Sequence, residues 1–299
     1  MSVLHSVGQR IYSQPSSLHP PSLVRHRTPA QSRQGARLRR SAVVHVCAQQ
    51  KTLIVSGTGN SEGIGRAAVR VFLEAGWKAV GLDVKDPEGE EDDEVLQAHK
   101  DSYKLLKADM TDSDQISDAV AQALDFFGEK RVNCLVNNAG IASPAMPKEK
   151  KERKGAFEAY IQTNLTGAFL LSEECTPYFA KGDSSIIHVS SIHAEFADPD
   201  THGYTCAKAG MRGLSRCQAV TLDKRTRVNV IFPGYIDTPG ASEEVTKEMR
   251  DWHLTGRVGS NKDIAEACLF LGDEQRSGFI TGAELMIDGG VSAKLFYPQ

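Results

Sequence analysis

The stretch "HGYTCAK", residues 202–208, places a phenol and an amine four residues apart. Few helix breakers occur between Gly203 and Leu214, so we expect a helix there, and side chains at positions i and i+4 of a helix share one face. Tyr204 would then stand beside Lys208. A free tyrosine has a pKa of about 10, and a neighbouring ammonium stabilises the phenolate. The pair could therefore act as a general acid/base, provided that the rest of the chain builds a site around it.

A glycine-rich turn supplies a second candidate site. The segment "SGTGNSEGIG", residues 56–65, follows an apolar, β-branched run and precedes apolar residues at helical spacing. Glycines in such a turn allow close backbone approach to a pyrophosphate, and the helix N-terminus favours the anion. The pattern reads as Gly59-x-x-x-Gly63-x-Gly65, with the assignment of Gly57 against Gly59 left open. The turn predicts a dinucleotide phosphate site.

Acidic residues near this turn indicate which dinucleotide it would take. The second apolar run ends in Asp83, 18 residues after Gly65. A carboxylate at that distance can accept hydrogen bonds from the adenosine ribose hydroxyls and would repel a 2′-phosphate. Glu62 adds a negative charge within the turn, and no Lys or Arg stands nearby before Arg66. We therefore expect NAD(H) in preference to NADP(H).

Strands and helices alternate from residue 51 onward, and this alternation would position both groups. Buried strands are predicted in "TLIVSG", "KAVGLDV", "YKLLKADM", "VNCLVNNAG", "SSIIHVSS" and "RVNVIFPG", with amphipathic segments between them. Such alternation indicates βαβ units and a parallel sheet with helices on both faces. No internal repeat or Gly/Ser linker divides this region. We predict one α/β domain over residues 49–299, a Rossmann-type, doubly wound parallel sheet of about seven strands.

The first 48 residues differ in composition from the rest of the chain. They contain seven arginines and eight serines, with no lysine and no acidic residue. This composition is typical of an organelle transit peptide. The end of the segment, "VVHVCA", resembles plastid processing sites and would be cut after Ala48. We expect a plastid address, with the mitochondrion as the rival and a disordered tail without an address as the third reading.

Charge and cysteine spacing exclude several classes of protein. Seven of the 35 basic residues lie in the first 48, which leaves 28 against 38 acidic residues and a formal charge of −10 on the remainder. This acidic part of the chain is a poor candidate for binding nucleic acid. No apolar run reaches the roughly 18 residues of a membrane span. The six cysteines lack metal-ligand spacing, so we expect neither a metal site nor a disulfide framework. The acidic run at 87–95 and the basic run at 148–154 are predicted to be solvated surface.

Several short motifs occur in a fixed order. They are "TGNSEGIG" (58–65), "DMT" (109–111), "NNAG" (137–140), Asn164, "VSS" (189–191), "YTCAK" (204–208), "PGYIDTP" (233–239) and "ITGAELMIDGG" (280–290). With these motifs, and with Ser191 standing 13 residues before Tyr204, the chain resembles the short-chain dehydrogenase/reductase family from about residue 51 to 291.

The resemblance implies an NAD(H)-dependent oxidoreductase acting on an alcohol or carbonyl. Tyr204 would be the general acid/base, Ser191 would hold the substrate oxygen, Lys208 would also bind the nicotinamide ribose, and Asn164 would hold a water in a proton relay. The cofactor contacts implied, including those of the turn, are Gly59, Glu62, Gly63, Ile64, Gly65, Asp83, Asp109, Met110, Asn138, Ala139, Gly140, Tyr204, Lys208, Pro233, Gly234, Ile236 and Thr238. Relatives are commonly dimers or tetramers, so a homo-oligomer is expected.

Two departures from the family pattern matter. The turn "SGTGNSEG" is about two residues longer than in most members. The segment after Ser191, "IHAEFADPDTHG", is more polar than in many relatives and brings His193, Glu195 and His202 near the expected cleft. With Ser191 and Tyr204, His193 is a candidate substrate contact. A loop that is polar without binding anything is the alternative.

The expected substrate is small and polar, such as a sugar, a polyol or a hydroxy acid. One rival is a 3-oxoacyl-carrier-protein reductase, which a plastid location would favour but which would normally use NADPH. The other is a non-catalytic NAD-binding redox sensor. Such a protein would have no chemical need for all four of Asn164, Ser191, Tyr204 and Lys208.

Overall fold

A seven-stranded parallel sheet forms the centre of the molecule. The computed structural model describes residues 49–86, 89–141, 145–238 and 245–294. Its strands are β1 (Thr52–Ser56), β2 (Lys78–Asp83), β3 (Tyr103–Lys107), β4 (Cys134–Asn137), β5 (Ser185–Val189), β6 (Arg227–Pro233), β7 (Ile236–Asp237), β8 (Gly259–Ser260) and β9 (Glu284–Ile287). The large sheet has the order β3-β2-β1-β4-β5-β6-β9, while β7 and β8 pair separately. The predicted transit segment lies outside the described residues.

Helices cover both faces of this sheet. They are α1 (Ile64–Glu74), α2 (Glu94–Ala98), α3 (Ser113–Phe127), α4 (Lys150–Ile161), α5 (Gly167–Cys175), α6 (His202–Thr221), α7 (Lys247–Trp252), α8 (Asn261–Gly272) and α9 (Glu274–Ser277), with a π-helical segment at Gln162–Thr166 and 3-10 turns at Thr176–Tyr178, Ile192–Ala194 and Val291–Ala293. Leu53 and Val55 of β1 pack into one core with α1 and α8, whereas Ile54 packs into the other with α3 and α5. Successive side chains of a strand point to opposite faces, so one apolar strand serves two cores. The predicted doubly wound fold is confirmed.

Local sequence sets where individual helices begin and end. The Asp112 side chain accepts hydrogen bonds from the first backbone N–H groups of α3, and Gly128 ends that helix with φ 74°. Ser260 and Asp263 form a reciprocal capping box at the start of α8. Such caps satisfy N–H groups that have no partner inside the helix.

The strand order creates a crevice at one edge of the sheet. The chain runs outward from β1 to β3 on one side and from β4 to β9 on the other, so the order reverses between β1 and β4. Ligands of open parallel sheets bind outside the carboxyl ends of the strands at such a switch point. The glycine-rich turn and Ser191 follow carboxyl ends of strands in this sheet, and Asp83 is the last residue of β2.

The predicted exposure holds for most of the basic run but not for all of the acidic run. The basic run lies mostly on the surface, but α4 already begins within it at Lys150. In the acidic run, Asp93 is buried and bonded to Arg70, while Glu90 accepts a hydrogen bond from Tyr103. The expectation of a solvated loop was wrong for Asp93 and held only in part for Glu90, because basic and phenolic partners from distant elements converge on them.

The described part of the chain has neither a membrane-crossing helix nor a metal cluster. None of its helices combines the length and apolar character that a bilayer requires. No group of three or more His, Cys, Asp or Glu side chains in the same ranges could hold a metal ion.

A neutral histidine lies in the middle of the sheet. His188 of β5 is fully buried, with Nε2 2.8 Å from Gln218 Oε1 on α6 and Nδ1 3.3 Å from Asn137 Nδ2 on β4. An amide oxygen can only accept and an amide nitrogen can only donate, so these contacts require the Nε2–H tautomer. Burial lowers the pKa of His188 to about 4. The network therefore needs the uncharged ring.

This histidine should make stability depend on pH. The folded state lowers the pKa of His188 from an ordinary 6.5 to about 4. The contribution of the neutral ring to folding stability is therefore complete above pH 6.5 and is lost as the pH falls toward 4. The loss can reach about 3 kcal/mol. We expect urea unfolding to show a smaller fall in unfolding free energy between pH 7.5 and 5 for His188→Gln than for the parent protein. Equal falls in both proteins would contradict this.

Candidate active site

The glycine-rich turn packs its backbone tightly against the neighbouring strand. Gly57, directly after β1, has φ +79°, and a Cβ at Gly57 would lie 2.7 Å from the Cα of Ala139. A Cβ at Gly65 would lie 2.1 Å from the Gly57 carbonyl oxygen. Both positions therefore require glycine. The sequence left the assignment of Gly57 against Gly59 open and did not include Gly57 among the cofactor contacts, although its place at the strand end was the available signal.

Helix α1 begins directly after the glycine-rich turn. Gly63 is the N-cap residue, without a capping side chain, and Ile64 and Gly65 are the first two helical residues. Such a helix N-terminus is an anion site when no side chain occupies it. The turn thus fits a pyrophosphate.

Asp83 lies beneath this turn at the carboxyl end of β2. Its Oδ2 accepts the Gly59 N–H at 2.7 Å, and its Oδ1 accepts the Lys85 N–H at 2.9 Å. A carboxylate oxygen can accept more than one hydrogen bond, so both oxygens retain capacity for ribose hydroxyls. Glu62 is exposed at the rim, where its carbonyl accepts a hydrogen bond from Asn261 Nδ2. The two acids make this end of the crevice negative.

The remaining cofactor-side predictions fall along the same edge. Asn138 donates through Nδ2 to the carbonyls of Ser56 and Gly57 and so joins β4 to the turn. The Asp109 carboxylate accepts both the N–H and the hydroxyl of Thr111. The others are placed as follows: Met110 is buried, Ala139 donates its N–H to Ser56 Oγ, Gly140 packs on Asn164, Pro233 ends β6, Gly234 packs on Asp288, Ile236 begins β7, and Thr238 is half-buried.

Helix α6 brings Tyr204 and Lys208 together. The Lys208 Nζ lies 5.6 Å from the centroid of the Tyr204 ring and donates a hydrogen bond to the Val189 carbonyl at 2.9 Å. Lys208 is buried, and burial lowers the pKa of its amine to about 8. The Val189 carbonyl, which the sequence did not suggest, fixes the amine at the end of β5.

Ser191 faces the same tyrosine. It is buried, caps the 3-10 turn by accepting the His193 N–H at 3.2 Å, and is hydrogen-bonded to Tyr204. Burial raises the pKa of Tyr204 above its ordinary value, and the bond to Ser191 offsets part of that rise. The phenol is therefore protonated at neutral pH in the unliganded protein.

Asn164 is placed behind this pair on the π-helical segment. It is fully buried, its Oδ1 accepts the Ile141 N–H at 2.7 Å, and its Nδ2 donates to the Ile141 carbonyl at 3.1 Å. π-helical turns are common at functional sites because they displace backbone groups from the regular ladder. The side chain thus fixes the segment after β4. A water in the predicted relay would have to bond to the Asn164 backbone, or make a second hydrogen bond to one of the two side-chain amide atoms.

The polar segment after Ser191 divides into two groups. Glu195 pairs with Arg212 of α6, and His202 Nδ1 lies 3.4 Å from Arg153 of α4. His193 instead packs edge-on against the Tyr204 ring, with centroids 5.4 Å apart. The structure therefore brings only His193 of the three to the reactive phenol.

The His193 ring has one engaged and one open nitrogen. Its Nε2 lies 3.5 Å from Asp198 Oδ2, and its Nδ1 is buried without a hydrogen-bond partner among the described residues. A buried unpaired acceptor or donor is costly, typically about 1–3 kcal/mol. A polar ligand beside Tyr204 would relieve that cost.

The arrangement as a whole can move a proton next to a dinucleotide site. A phenol, an ammonium and a hydroxyl converge where β5 meets α6, one strand away from the crevice that holds the glycine turn. These are the groups that proton transfer to or from a substrate oxygen requires. Residues 239–244, which follow Thr238, lie outside the described residues.

Comparison with known proteins gives extensive matches. A family model described as "Enoyl-(Acyl carrier protein) reductase" matches residues 57–292. An "Uncharacterized oxidoreductase" of Thermotoga maritima is 34% identical over 254 residues, 81% of this chain and 96% of that protein. The "3-oxoacyl-[acyl-carrier-protein] reductase FabG" of the same organism is 33% identical, covering 78% and 95%. A "Cis-4-hydroxycyclohexanecarboxylate dehydrogenase" of Sinomonas cyclohexanicum is 35% identical, covering 79% and 95%.

Solved structures share the same architecture. A short-chain dehydrogenase/reductase variant of Serratia marcescens superposes with a TM-score of 0.72 at 29% identity, covering 82% of this chain and 99% of that one. An NADPH-dependent 3-quinuclidinone reductase of Rhodotorula rubra gives 0.71 at 29% identity, covering 82% and 93%. Proteins similar to this chain therefore include an NADPH-dependent enzyme, and similarity alone leaves the dinucleotide undecided.

Proposed function

The chain belongs to the short-chain dehydrogenase/reductase family of oxidoreductases, and from that premise we propose that it transfers hydride between NAD(H) and an alcohol or carbonyl of a small polar substrate. The observation that carries this proposal is the convergence of Tyr204, Lys208 and Ser191 beside the crevice. Asn164 supports the site from behind.

The residues of the crevice fit a nicotinamide dinucleotide. Gly57 and Gly65 leave room for close backbone approach, and the open N-terminus of α1 would hold the pyrophosphate. Asp83 would accept the adenosine ribose hydroxyls, and Lys208 would bind the nicotinamide ribose. When bound, the cofactor supplies a ring that accepts or donates hydride.

The protein's own groups would handle the proton. In oxidation, Tyr204 as phenolate takes the proton of the substrate hydroxyl; in reduction, Tyr204 as phenol gives that proton to the developing alkoxide. Ser191 donates a hydrogen bond to the same oxygen and holds it in line. The Lys208 ammonium favours the phenolate and so opposes the effect of burial on Tyr204. The relay through Asn164 stays a prediction.

The preference for NAD(H) rests on Asp83. We expect Asp83→Asn to weaken NADH binding about 10- to 100-fold and to narrow the gap to NADPH, because an amide cannot offer acceptors to both Gly59 and Lys85 and no longer repels a phosphate. Titration calorimetry with both reduced cofactors measures this. Asp86→Asn, an exposed acid three residues on, is the charge-matched control. A parent protein that binds NADPH more tightly would contradict the assignment.

His193 supports a small polar substrate. Its open Nδ1 beside Tyr204 could bond a second oxygen of a sugar, a polyol or a hydroxy acid. A similar protein of this family is named for a hydroxylated ring carboxylate, which belongs to the same chemical class.

A 3-oxoacyl-carrier-protein reductase is the second candidate. It is favoured by the 33% identity with the FabG protein of Thermotoga maritima. The carboxylates of Asp83 and Glu62 disfavour binding of NADPH, the cofactor that such an enzyme would normally use.

A substrate panel separates the candidates. The purified protein is assayed spectroscopically with NAD⁺ and NADP⁺ against sugars, polyols, hydroxy acids, hydroxysteroids and hydroxyacyl thioesters. Turnover of a sugar, polyol or hydroxy acid with NAD⁺ is the expected result. Turnover of acyl thioesters with NADP⁺ would replace the first candidate with the second. NADH binding without turnover of any substrate class would favour a non-catalytic sensor.

Two further proposals concern location and assembly. We propose that residues 1–48 direct the protein to a plastid, and a fluorescent fusion of that segment reports plastid, mitochondrion or neither. We also propose a homodimer or homotetramer, since Phe169, Phe279 and Leu285 are exposed apolar side chains. Light scattering on the purified protein measures its mass.

A further inference from the structure

A fully buried arginine lies next to the glycine turn. Arg66 is the third residue of α1, and its side chain has no exposed surface. Arginine is rarely buried to this extent unless it is paired. Its Nε donates to the Thr58 carbonyl at 3.0 Å, while one terminal nitrogen lies 3.7 Å from Glu90 Oε1 and the other 3.9 Å from Asp93 Oδ2. Two carboxylates therefore lie within ion-pair distance of its charge.

Each of these carboxylates is held by another partner. The Tyr103 hydroxyl of β3 donates to Glu90 Oε1 at 2.9 Å, and Arg70 of α1 donates to Asp93 Oδ2 at 2.8 Å. Asp93 also accepts the Leu96 N–H and so caps α2. We call Arg66, Glu90, Asp93, Tyr103 and Arg70 the Arg66 network. It ties α1, α2 and β3 to the turn.

The network acts on one peptide group of the turn. The carbonyl that Arg66 binds belongs to Thr58, and the N–H that binds Asp83 belongs to Gly59. These are the two ends of a single planar peptide unit, so the orientation of one end fixes the other. Arg66 thus aims the Gly59 N–H at Asp83 from the opposite side.

Close packing leaves this peptide little freedom. Thr58 is fully buried, and a Cβ at Gly81 of β2 would lie 2.4 Å from its hydroxyl. A Cβ at Gly59 would lie 2.8 Å from the Asp83 carboxyl carbon. The Asp83 carboxylate is consequently oriented by a backbone group whose own orientation depends on Arg66.

We propose that the Arg66 network is a positioning device that sets the preference for one dinucleotide. It holds the Thr58–Gly59 peptide so that Asp83 faces the adenosine ribose. Its acids also offset the positive charge of Arg66, which would otherwise attract a 2′-phosphate. This rests on the proposed function, because Asp83 is taken as the ribose contact. Loosening Glu90 would misalign Asp83 and expose part of the Arg66 charge. Both effects reduce the preference for NAD(H).

The test compares neighbouring acids with the same change of charge. Dissociation constants for NAD⁺ and NADP⁺ are measured by titration calorimetry on the full protein, for the parent, Glu90→Gln and Glu91→Gln. Glu91 is exposed. We expect Glu90→Gln to lower the ratio of the NADP⁺ constant to the NAD⁺ constant about tenfold, and Glu91→Gln to change it less than about twofold.

A charge-neutral variant separates positioning from charge. Tyr103→Phe removes the donor that holds Glu90 and leaves all acids in place. We expect the ratio to fall in this variant also, at a melting temperature within a few degrees of the parent. A purely structural role would weaken both cofactors in parallel and leave the ratio unchanged.

The outcomes distinguish this inference from the proposed function. A parent protein that prefers NAD⁺, with equal ratios in Glu90→Gln and Glu91→Gln, would overturn the inference and leave the proposed function standing. A parent protein that prefers NADP⁺ would overturn both. Because binding is measured rather than turnover, the choice of substrate does not affect the result.

Discussion

Replacing Tyr204 with phenylalanine should lower turnover about 10³-fold or more while NADH binding stays nearly unchanged, because proton transfer by a positioned side chain contributes about 10²- to 10⁴-fold. The hydroxyl is the only part removed. The ring that packs against His193 and Tyr160 remains, so the walls of the site should persist. The measurement is kcat on the substrate identified by the panel, together with the dissociation constant for NADH.

Tyr160 provides a matched control. Its ring stands edge-on to that of Tyr204, with centroids 6.3 Å apart, and its hydroxyl lies 3.4 Å from the Ala145 carbonyl. Tyr160→Phe therefore removes a hydroxyl from the same aromatic pair without removing the proton carrier. We expect its kcat to stay within about threefold of the parent. Substantial turnover by Tyr204→Phe would overturn the assignment of the acid/base.

The sequence was sufficient for the parts of the site that depend on local periodicity. The i, i+4 spacing of Tyr204 and Lys208 holds on α6, and apolar β-branched runs ending in glycine or acid became the parallel strands. Asp83 was placed because a strand end fixes its position relative to the turn. Such features follow from short segments and need no knowledge of distant contacts.

Contacts between distant segments could not be predicted in this way. The Asn164 amide binds Ile141, 23 residues away. Asp93 is buried and Glu90 half-buried because Arg66, Arg70 and Tyr103 approach them from other elements. Charge runs look alike whether or not a buried cation faces them. Contacts with distant residues determine which acids of such a run are buried.

The length of the glycine turn presented the same difficulty. Two extra residues allowed either Gly57 or Gly59 to begin the pattern. The structure gives the tight strand-end role to Gly57 and uses Gly59 to contact Asp83. Only the approach of Ala139 and Asp83, from two other strand ends, separates these roles.

Replacing Lys208 with methionine should have the second-largest effect, and that effect should depend on pH. An opposite charge within about 4–6 Å shifts a pKa by about 1–3 units, so loss of the ammonium should reduce the phenolate fraction of Tyr204 about 10- to 1000-fold near neutral pH. Burial, which raises the pKa of Tyr204 above its ordinary value, would then act without an opposing ammonium, and the bond to Ser191 would offset only part of that rise. Oxidation by the variant should keep rising with pH beyond the point where the parent reaches its plateau.

Deprotonation of Lys208 should limit turnover of the parent protein at high pH. Burial lowers the pKa of its amine to about 8 in the unliganded protein, so the ammonium is complete below that pH and is lost above it. A phenolate beside it favours the charged amine, and the two groups titrate as a coupled pair. The parent should therefore show apparent pKa values that belong to the pair, whereas Lys208→Met should show a single, higher one.

The pH profile of kcat separates this role from cofactor binding. If Lys208 served only to bind the nicotinamide ribose, Lys208→Met would raise the KM for NAD⁺ and keep the parent's pH profile. Lys154→Met, on the exposed face of α4, controls for the change in net charge. Circular dichroism checks that the fold survives, since the variant leaves the Val189 carbonyl without its amine donor. A variant profile that coincides with the parent's after scaling would show that Tyr204 does not depend on Lys208 for its proton affinity.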